Sequence, residues 1–133
     1  MGPRGRSARY RSGRVVSPPA MSEPSNAQVT VTTDERPSGI VVTVAGVVDA
    51  STLPDVSSVL TDAQRDGRTV YVDLSGVSFM DSRGLGALIA ANERSREGAA
   101  AIRLHAPSDA VRRLLTISGV TAVLVEAEEL PPA

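Results

Sequence analysis

The stretch VYVDLSGVSFMDSRGLGALIA at residues 70–90 decides the fold of this chain. It opens with an apolar run rich in β-branched and aromatic residues, Val70–Leu74, which is typical of a buried strand and is bounded by Ser75-Gly76. From Leu85 onward the apolar residues recur at helical spacing. The pattern therefore predicts a strand, a turn and then a helix, with Ser82 where the helix begins.

Ser82 is the candidate functional residue of this stretch. At a helix amino terminus the backbone N–H groups lack intrahelical partners and the helix dipole favours negative charge. Gly84 and Gly86 leave the first turn bare, so another molecule can approach the hydroxyl. Two interpretations stay open: Ser82 is a helix cap, or it accepts a phosphate that Asp81 would oppose by like-charge repulsion.

Length and composition bound the class of protein. A chain of 133 residues with 41% hydrophobic residues is long enough for one domain with a real core. Because aromatic residues make up only 2%, the core must consist of Val, Leu, Ile and Ala. The chain has no cysteine, which excludes disulfides and thiolate sites, and no apolar run approaches the ~18 residues of a membrane span. These features predict a cytoplasmic protein without cofactor, metal or membrane contact.

The charge is distributed unevenly along the chain. Residues 1–20 hold five Arg and no acid, whereas residues 21–133 hold nine Arg and fifteen acids. We predict that residues 1–28 are disordered. Their Arg-rich part has four alternative interpretations: an unstructured tail, an over-extended start before the true first residue Met21, a transit peptide, or an arm that binds nucleic acid. The acidic remainder argues against direct nucleic-acid binding by the folded domain.

Hydrophobic periodicity and turn residues predict an α/β fold with the order β-β-α-β-α-β-α-β. The predicted elements are strands at 29–33, 40–45, 70–74, 101–105 and 123–125, and helices at about 53–66, 82–97 and 108–118, the first of them capped by Ser51 or Thr52. The first two strands form an antiparallel hairpin, and the alternation that follows implies a mainly parallel sheet with helices packed on it. The domain spans 29–126, and residues 127–133 form a solvated acidic and proline-rich tail.

The predicted sheet brings two further segments toward Ser82. Asp49 follows the second strand, and the carboxyl ends of parallel strands are where partners and ligands usually meet such sheets. Asp49 is a turn or helix-start carboxylate, or an acidic contact beside Ser82. Phe79 and Met80 are core or edge residues, or an exposed anchor for a partner.

Catalysis is not expected. His105 is the only histidine and lies on a predicted strand, where a structural role is more common than a catalytic one. Counting residues does not exclude a Ser82–His105–Asp triad, but the sequence has no Gly-x-Ser-x-Gly elbow. It also lacks a P-loop, a dinucleotide fingerprint and the spacing of metal ligands.

Three segments carry a resemblance to a known family. Gly46–Asp49, Asp73–Gly86 and Leu114–Val120 resemble the STAS domain of bacterial anti-sigma-factor antagonists. The resemblance spans roughly residues 28–125, and the central block is far more specific than any short motif.

The resemblance implies a phosphorylation switch. In that family the serine after the aspartate is phosphorylated by the partner, an anti-sigma factor that is itself an ATP-binding serine kinase. The unphosphorylated antagonist binds this partner and frees the sigma factor, and a serine phosphatase resets the cycle. By resemblance Ser82 is the phosphoacceptor, and Asp81 and Asp49 belong to the docking surface. We predict that the neighbouring Arg83 and Gly84 are part of the same partner-binding surface.

The chain departs from the family pattern at three points. Arg83 stands where Ser or Thr is common, Ala50 follows Asp49 where some members are polar, and the expected C-terminal helix is cut short. The alternative function is a STAS regulatory subunit of a transporter or larger signalling complex, in which Ser82 is only a cap.

Overall fold

The computed structural model describes residues 28–120 and 123–133, so the predicted disorder of the N-terminal tail falls almost wholly outside the described residues. The elements are β1 (Val29–Arg36), β2 (Gly39–Val48), α1 (Leu53–Gln64), β3 (Thr69–Met80), α2 (Ser82–Arg96), β4 (Ile102–His105) and α3 (Asp109–Ser118).

The four strands form one mixed sheet in the order β1-β2-β3-β4. β1 and β2 pair antiparallel as the predicted hairpin, and β2–β3 and β3–β4 pair parallel. The predicted α/β class and the element order through α3 are therefore confirmed.

The predicted last strand at 123–125 is wrong. A single parallel bridge beside it joins Leu104 to Glu126, where the Leu104 N–H donates to Val125 O and the Leu104 carbonyl accepts from Ala127 N, both at 2.8 Å. Leu124 is buried in the core at 5% exposure, whereas Val123 and Val125 are 43% and 50% exposed. The segment is therefore held to the core by one side chain and to β4 by one bridge, which is less than a strand.

β3 continues past Ser75-Gly76, where its end was predicted. It does so because β2 runs beside it as far as the pair Val48 and Met80. The register shifts twice along the way, and Gly46, at the second shift, has a left-handed φ of 102° that favours glycine. The turn that was predicted at Ser75-Gly76 is therefore an irregular part of β3, and the strand ends at Met80, directly before Asp81.

The core is made of aliphatic side chains, as the composition required. α1 packs against α2 and against the β1–β2 hairpin, and α3 packs against β3. The largest fully buried side chains are Leu60, Leu74, Leu88, Ile102, Leu104 and Leu115, with six valines on β1, β2 and β3.

The C-terminal segment, residues 127–133, is only in part the solvated tail that was predicted. Glu128 and Glu129 are exposed, but Pro131 is buried. The Pro131 carbonyl accepts a hydrogen bond of 2.7 Å from Nη1 of Arg36, at the end of β1. The end of the chain therefore returns to the first hairpin, because a buried proline and a charged donor both gain from that contact.

Candidate functional site at the carboxyl ends of β2 and β3

The sheet brings Asp49 and Asp81 to the same edge. Val48 and Met80 are register partners on adjacent parallel strands, and each acid directly follows one of them. The Asp81 N–H donates to Val48 O at 3.2 Å, which ties the two strand ends together. Neighbouring strands lie about 4.8 Å apart, so the two segments form one rim.

Asp49 organises the start of α1. Its Oδ1 accepts from Ser51 N at 3.0 Å, Ser51 Oγ at 2.8 Å and Thr52 N at 3.3 Å. These bonds, that of the Ser51 hydroxyl above all, hold the pKa of Asp49 below its ordinary value, because they favour the charged form. Thr52 occupies the N-cap position, but its hydroxyl donates to Val47 O instead of capping. Asp49 therefore presents a fixed negative charge on the rim.

Asp81, and not Ser82, caps α2. Its Oδ1 accepts from Arg83 N at 2.9 Å and from Gly84 N at 3.3 Å. Ser82 is the first residue of the helix, it is exposed, and its hydroxyl makes no hydrogen bond to residues 28–120 or 123–133. The cap interpretation of Ser82 is wrong, because the preceding carboxylate is the stronger acceptor for the free N–H groups.

Arg83 closes over the same carboxylate. Its Nη1 lies 3.1 Å from Asp81 Oδ2, so both oxygens of Asp81 are engaged. The Arg83 side chain is 63% exposed. The rim thus carries an ion pair next to Ser82 in the chain.

The two glycines of the first turn have different environments. A Cβ at Gly84 would lie 2.8 Å from Val48 Cγ1 and 2.6 Å from Met80 Cγ, whereas a Cβ at Gly86 would meet nothing within 4 Å. Gly84 is buried, and it lets α2 approach the strand ends closely. Only Gly86 leaves the helix surface open, so Gly84 cannot be a direct contact of a partner without rearrangement.

The sequence allowed Phe79 and Met80 to be either core residues or exposed anchors for a partner, and the structure places them differently. Met80 is buried at 6% exposure, whereas Phe79 is 50% exposed. The only phenylalanine of the chain therefore lies on the surface two residues before Asp81.

His105 does not join Ser82. It pairs with Asp73 in the β3–β4 register, and its Nδ1 lies 3.1 Å from Ala127 O. β3 continues for seven residues beyond Asp73 to Met80, which at about 3.3 Å per residue places Ser82 roughly 20 Å further along the strand. The predicted structural role of His105 agrees with this geometry, and a Ser82–His105–Asp triad does not form.

Alanine replacements of Ser108 and Ser82 distinguish a serine that caps a helix from one that is only exposed at a helix start. Ser108 caps α3, since its Oγ accepts from Val111 N at 3.3 Å. We expect Ser108→Ala to lower the free energy of unfolding by about 1 kcal/mol, and Ser82→Ala to change it by less than about 0.5 kcal/mol, because Ser82 loses no bond. Urea denaturation of both variants measures the difference; equal losses would restore a cap role to Ser82.

Two negative findings apply to the part of the chain that the structure describes. No group of three or more His, Cys, Asp or Glu side chains there could hold a metal ion. Among the helices of residues 28–120 and 123–133, none is long and apolar enough to cross a bilayer.

Comparison with known proteins assigns this chain to a family. The family model described as "Mlab, STAS domain" matches residues 31–126. The anti-sigma-B factor antagonist of Staphylococcus aureus is 36% identical over 80 residues, which cover 59% of this chain and 74% of that protein.

Two solved structures share the fold. An anti-sigma factor antagonist from Mycobacterium paratuberculosis superposes with a TM-score of 0.70 at 24% identity, covering 86% of this chain and 92% of that one. The anti-sigma factor antagonist SpoIIAA in its unphosphorylated form gives 0.61 at 22% identity, covering 74% of this chain and 89% of that one.

Proposed function

We propose that this chain binds an anti-sigma factor that is also a serine kinase. The proposal starts from the fact that the chain belongs to the STAS-domain family of anti-sigma-factor antagonists. The rim of Asp49, Asp81, Ser82 and Arg83 is the contact surface. Binding by the unphosphorylated protein frees a sigma factor in the cytoplasm, and phosphorylation of Ser82 ends the binding. A serine phosphatase restores the active form. The family consists of regulatory proteins, so the chemistry belongs to the partner.

The exposed and unbonded hydroxyl of Ser82 is the observation that carries the proposal. A phosphoacceptor must be accessible to the active site of a kinase, and Ser82 is exposed at the start of a helix that Asp81 caps. Its modification therefore removes no bond that stabilises α2.

The transfer itself requires a bound nucleotide and a base from the kinase. The Ser82 oxygen forms a bond to the γ-phosphorus of ATP as the bond to the β–γ bridging oxygen breaks, ADP leaves, and the hydroxyl proton passes to the kinase. The product carries a charge of about −1.5 to −2 at neutral pH.

The new charge explains how binding ends. Asp49 and Asp81 already place two carboxylates on the rim, and only Asp81 is paired with an arginine there. A phosphate on Ser82, the residue after Asp81, adds bulk and negative charge at a surface that must be in close contact with the partner. The modification therefore disrupts the complex while the fold persists.

Phosphorylation and binding by candidate serine-kinase anti-sigma factors from the same genome test the proposal. We expect incubation with ATP to add one phosphate at Ser82, read by intact mass and site mapping, and the phosphorylated protein to lose binding by at least about tenfold. Ser82→Ala should bind but gain no phosphate. Ser38→Ala is the matched control and should still gain the phosphate and bind, since Ser38 is an exposed serine in the turn between β1 and β2, away from the rim.

Two outcomes would contradict the proposal. If the kinases bind without phosphorylating Ser82, the switch is refuted but the antagonist role stands. If none binds, the chain is instead a STAS subunit of a transporter or larger signalling complex.

A further inference from the structure

We propose that Arg83 holds the phosphate on Ser82, exchanging part of its contact with Asp81 for contact with the phosphate. The inference rests on the proposed function, which supplies the phosphate. It assigns a role to the residue that distinguishes this chain from the family pattern.

The helix terminus itself is already occupied. The side chain of Asp81 accepts from the N–H groups of Arg83 and Gly84, and its backbone carbonyl accepts from Leu85 N at 3.2 Å. A phosphate on Ser82 would have to displace the Asp81 carboxylate to reach those N–H groups. The sequence alone suggested that free N–H groups would hold the phosphate; in the fold a side chain has taken them.

The guanidinium of Arg83 is the positive group left to receive the phosphate. It folds back to Asp81, the residue before Ser82, so it stays at the helix start that carries the acceptor hydroxyl. Its one ion-pair contact within the described residues is Nη1 to Asp81 Oδ2 at 3.1 Å, and a guanidinium has further donors in a fork that matches phosphate oxygens.

The existing ion pair is easily shared. Arg83 is 63% exposed, and exposed pairs of this kind contribute little to stability, so rearrangement toward the phosphate costs little. A phosphate carries about twice the charge of a carboxylate at neutral pH and attracts the guanidinium more strongly. Asp81 keeps its two backbone bonds, so the cap of α2 survives phosphorylation.

The consequence concerns the charge that the partner meets. With Arg83 in place, one positive charge is shared between Asp81 and the phosphate, so the rim of the phosphorylated protein is less negative than in a relative with Ser or Thr there. Arg83 should therefore stabilise the phosphorylated form of the protein more than the unphosphorylated form.

Titration of the phosphate tests the contact without a kinase. Phosphoserine is placed at position 82 of the full chain during translation or by ligation, and its second ionisation is followed by ³¹P NMR. An adjacent cation favours the dianion, so we expect the phosphate pKa, ordinarily about 6, to be lower in the parent protein than in Arg83→Ala by about half a unit. Arg83→Lys, which keeps the charge but loses the fork, should fall between them.

Arg65→Ala is the matched control, because Arg65 is also an exposed arginine paired with an aspartate, Asp62, at 2.9 Å. It should leave the phosphate pKa unchanged.

Urea denaturation gives a second readout. Arg83→Ala should lower the urea midpoint of unfolding more for the phosphorylated than for the unphosphorylated chain. Identical pKa values for the parent and Arg83→Ala would overturn the inference even if a kinase modifies Ser82. If no kinase does, the titration still reports whether the contact forms.

Discussion

Gln64→Glu is expected to lower the free energy of unfolding by roughly 3 kcal/mol or more at neutral pH. Gln64 ends α1 at 2% exposure, and its Nε2 donates to Ala91 O at 2.8 Å and to Ala100 O at 2.9 Å. Its Oε1 accepts from Arg94 Nε at 3.0 Å, so the one side chain joins α1, α2 and the approach to β4. A carboxylate of the same shape has no donor, and it would face two carbonyl oxygens in the core.

The dependence on pH identifies the cause. Arg94 faces one oxygen of the introduced carboxyl group and favours its charged form, whereas burial and the two carbonyls at the other oxygen disfavour it. We expect the second effect to be the larger one and to raise the pKa of this group in the folded variant above its value in the unfolded chain, about 4.3. The difference from the parent should thus be smallest below about pH 4 and should grow as pH rises, since the neutral acid can still donate one bond. Gln28→Glu, the same change at an exposed position, is the control. Equal urea midpoints for the two variants at neutral pH would contradict the role of Gln64.

Gly84→Ala is expected to destabilise the protein by about 1–3 kcal/mol, although alanine is the better helix former. The added methyl would meet Val48 Cγ1 at 2.8 Å and Met80 Cγ at 2.6 Å, both on buried residues that end β2 and β3. Relief requires α2 to move away from the strand ends, which displaces Ser82. The variant should therefore also lose affinity for an anti-sigma factor, measured by calorimetry beside thermal unfolding.

Gly86→Ala, two residues later, should have the opposite sign. Nothing lies within 4 Å of a Cβ at Gly86, and the residue is exposed in the same helix. The replacement should raise the free energy of unfolding by about 0.5–1 kcal/mol through helix propensity and loss of unfolded-chain entropy. Destabilisation by both alanines would show that the helix start, and not the contact with Val48 and Met80, limits the substitution.

The sequence by itself determined the order of elements through α3, the aliphatic core and the position of Ser82 at the start of a helix. These properties depend on local periodicity, on turn residues and on composition, which the chain displays without reference to distant residues. It also carried the resemblance to the family through residues 73–86, where strand, cap and first helical turn are contiguous.

The tertiary structure decided which residue does which task within that frame. The cap of α2 is a local matter, since Asp81 bonds the N–H groups of Arg83 and Gly84, and the sequence left open only which of two adjacent polar residues would do it. The other outcomes needed the fold: Gly84 packs against Val48, β3 continues past its predicted end because β2 pairs with it, and Pro131 is buried because the chain returns to Arg36. These three rest on contacts between residues far apart in sequence, which local propensity and periodicity do not report.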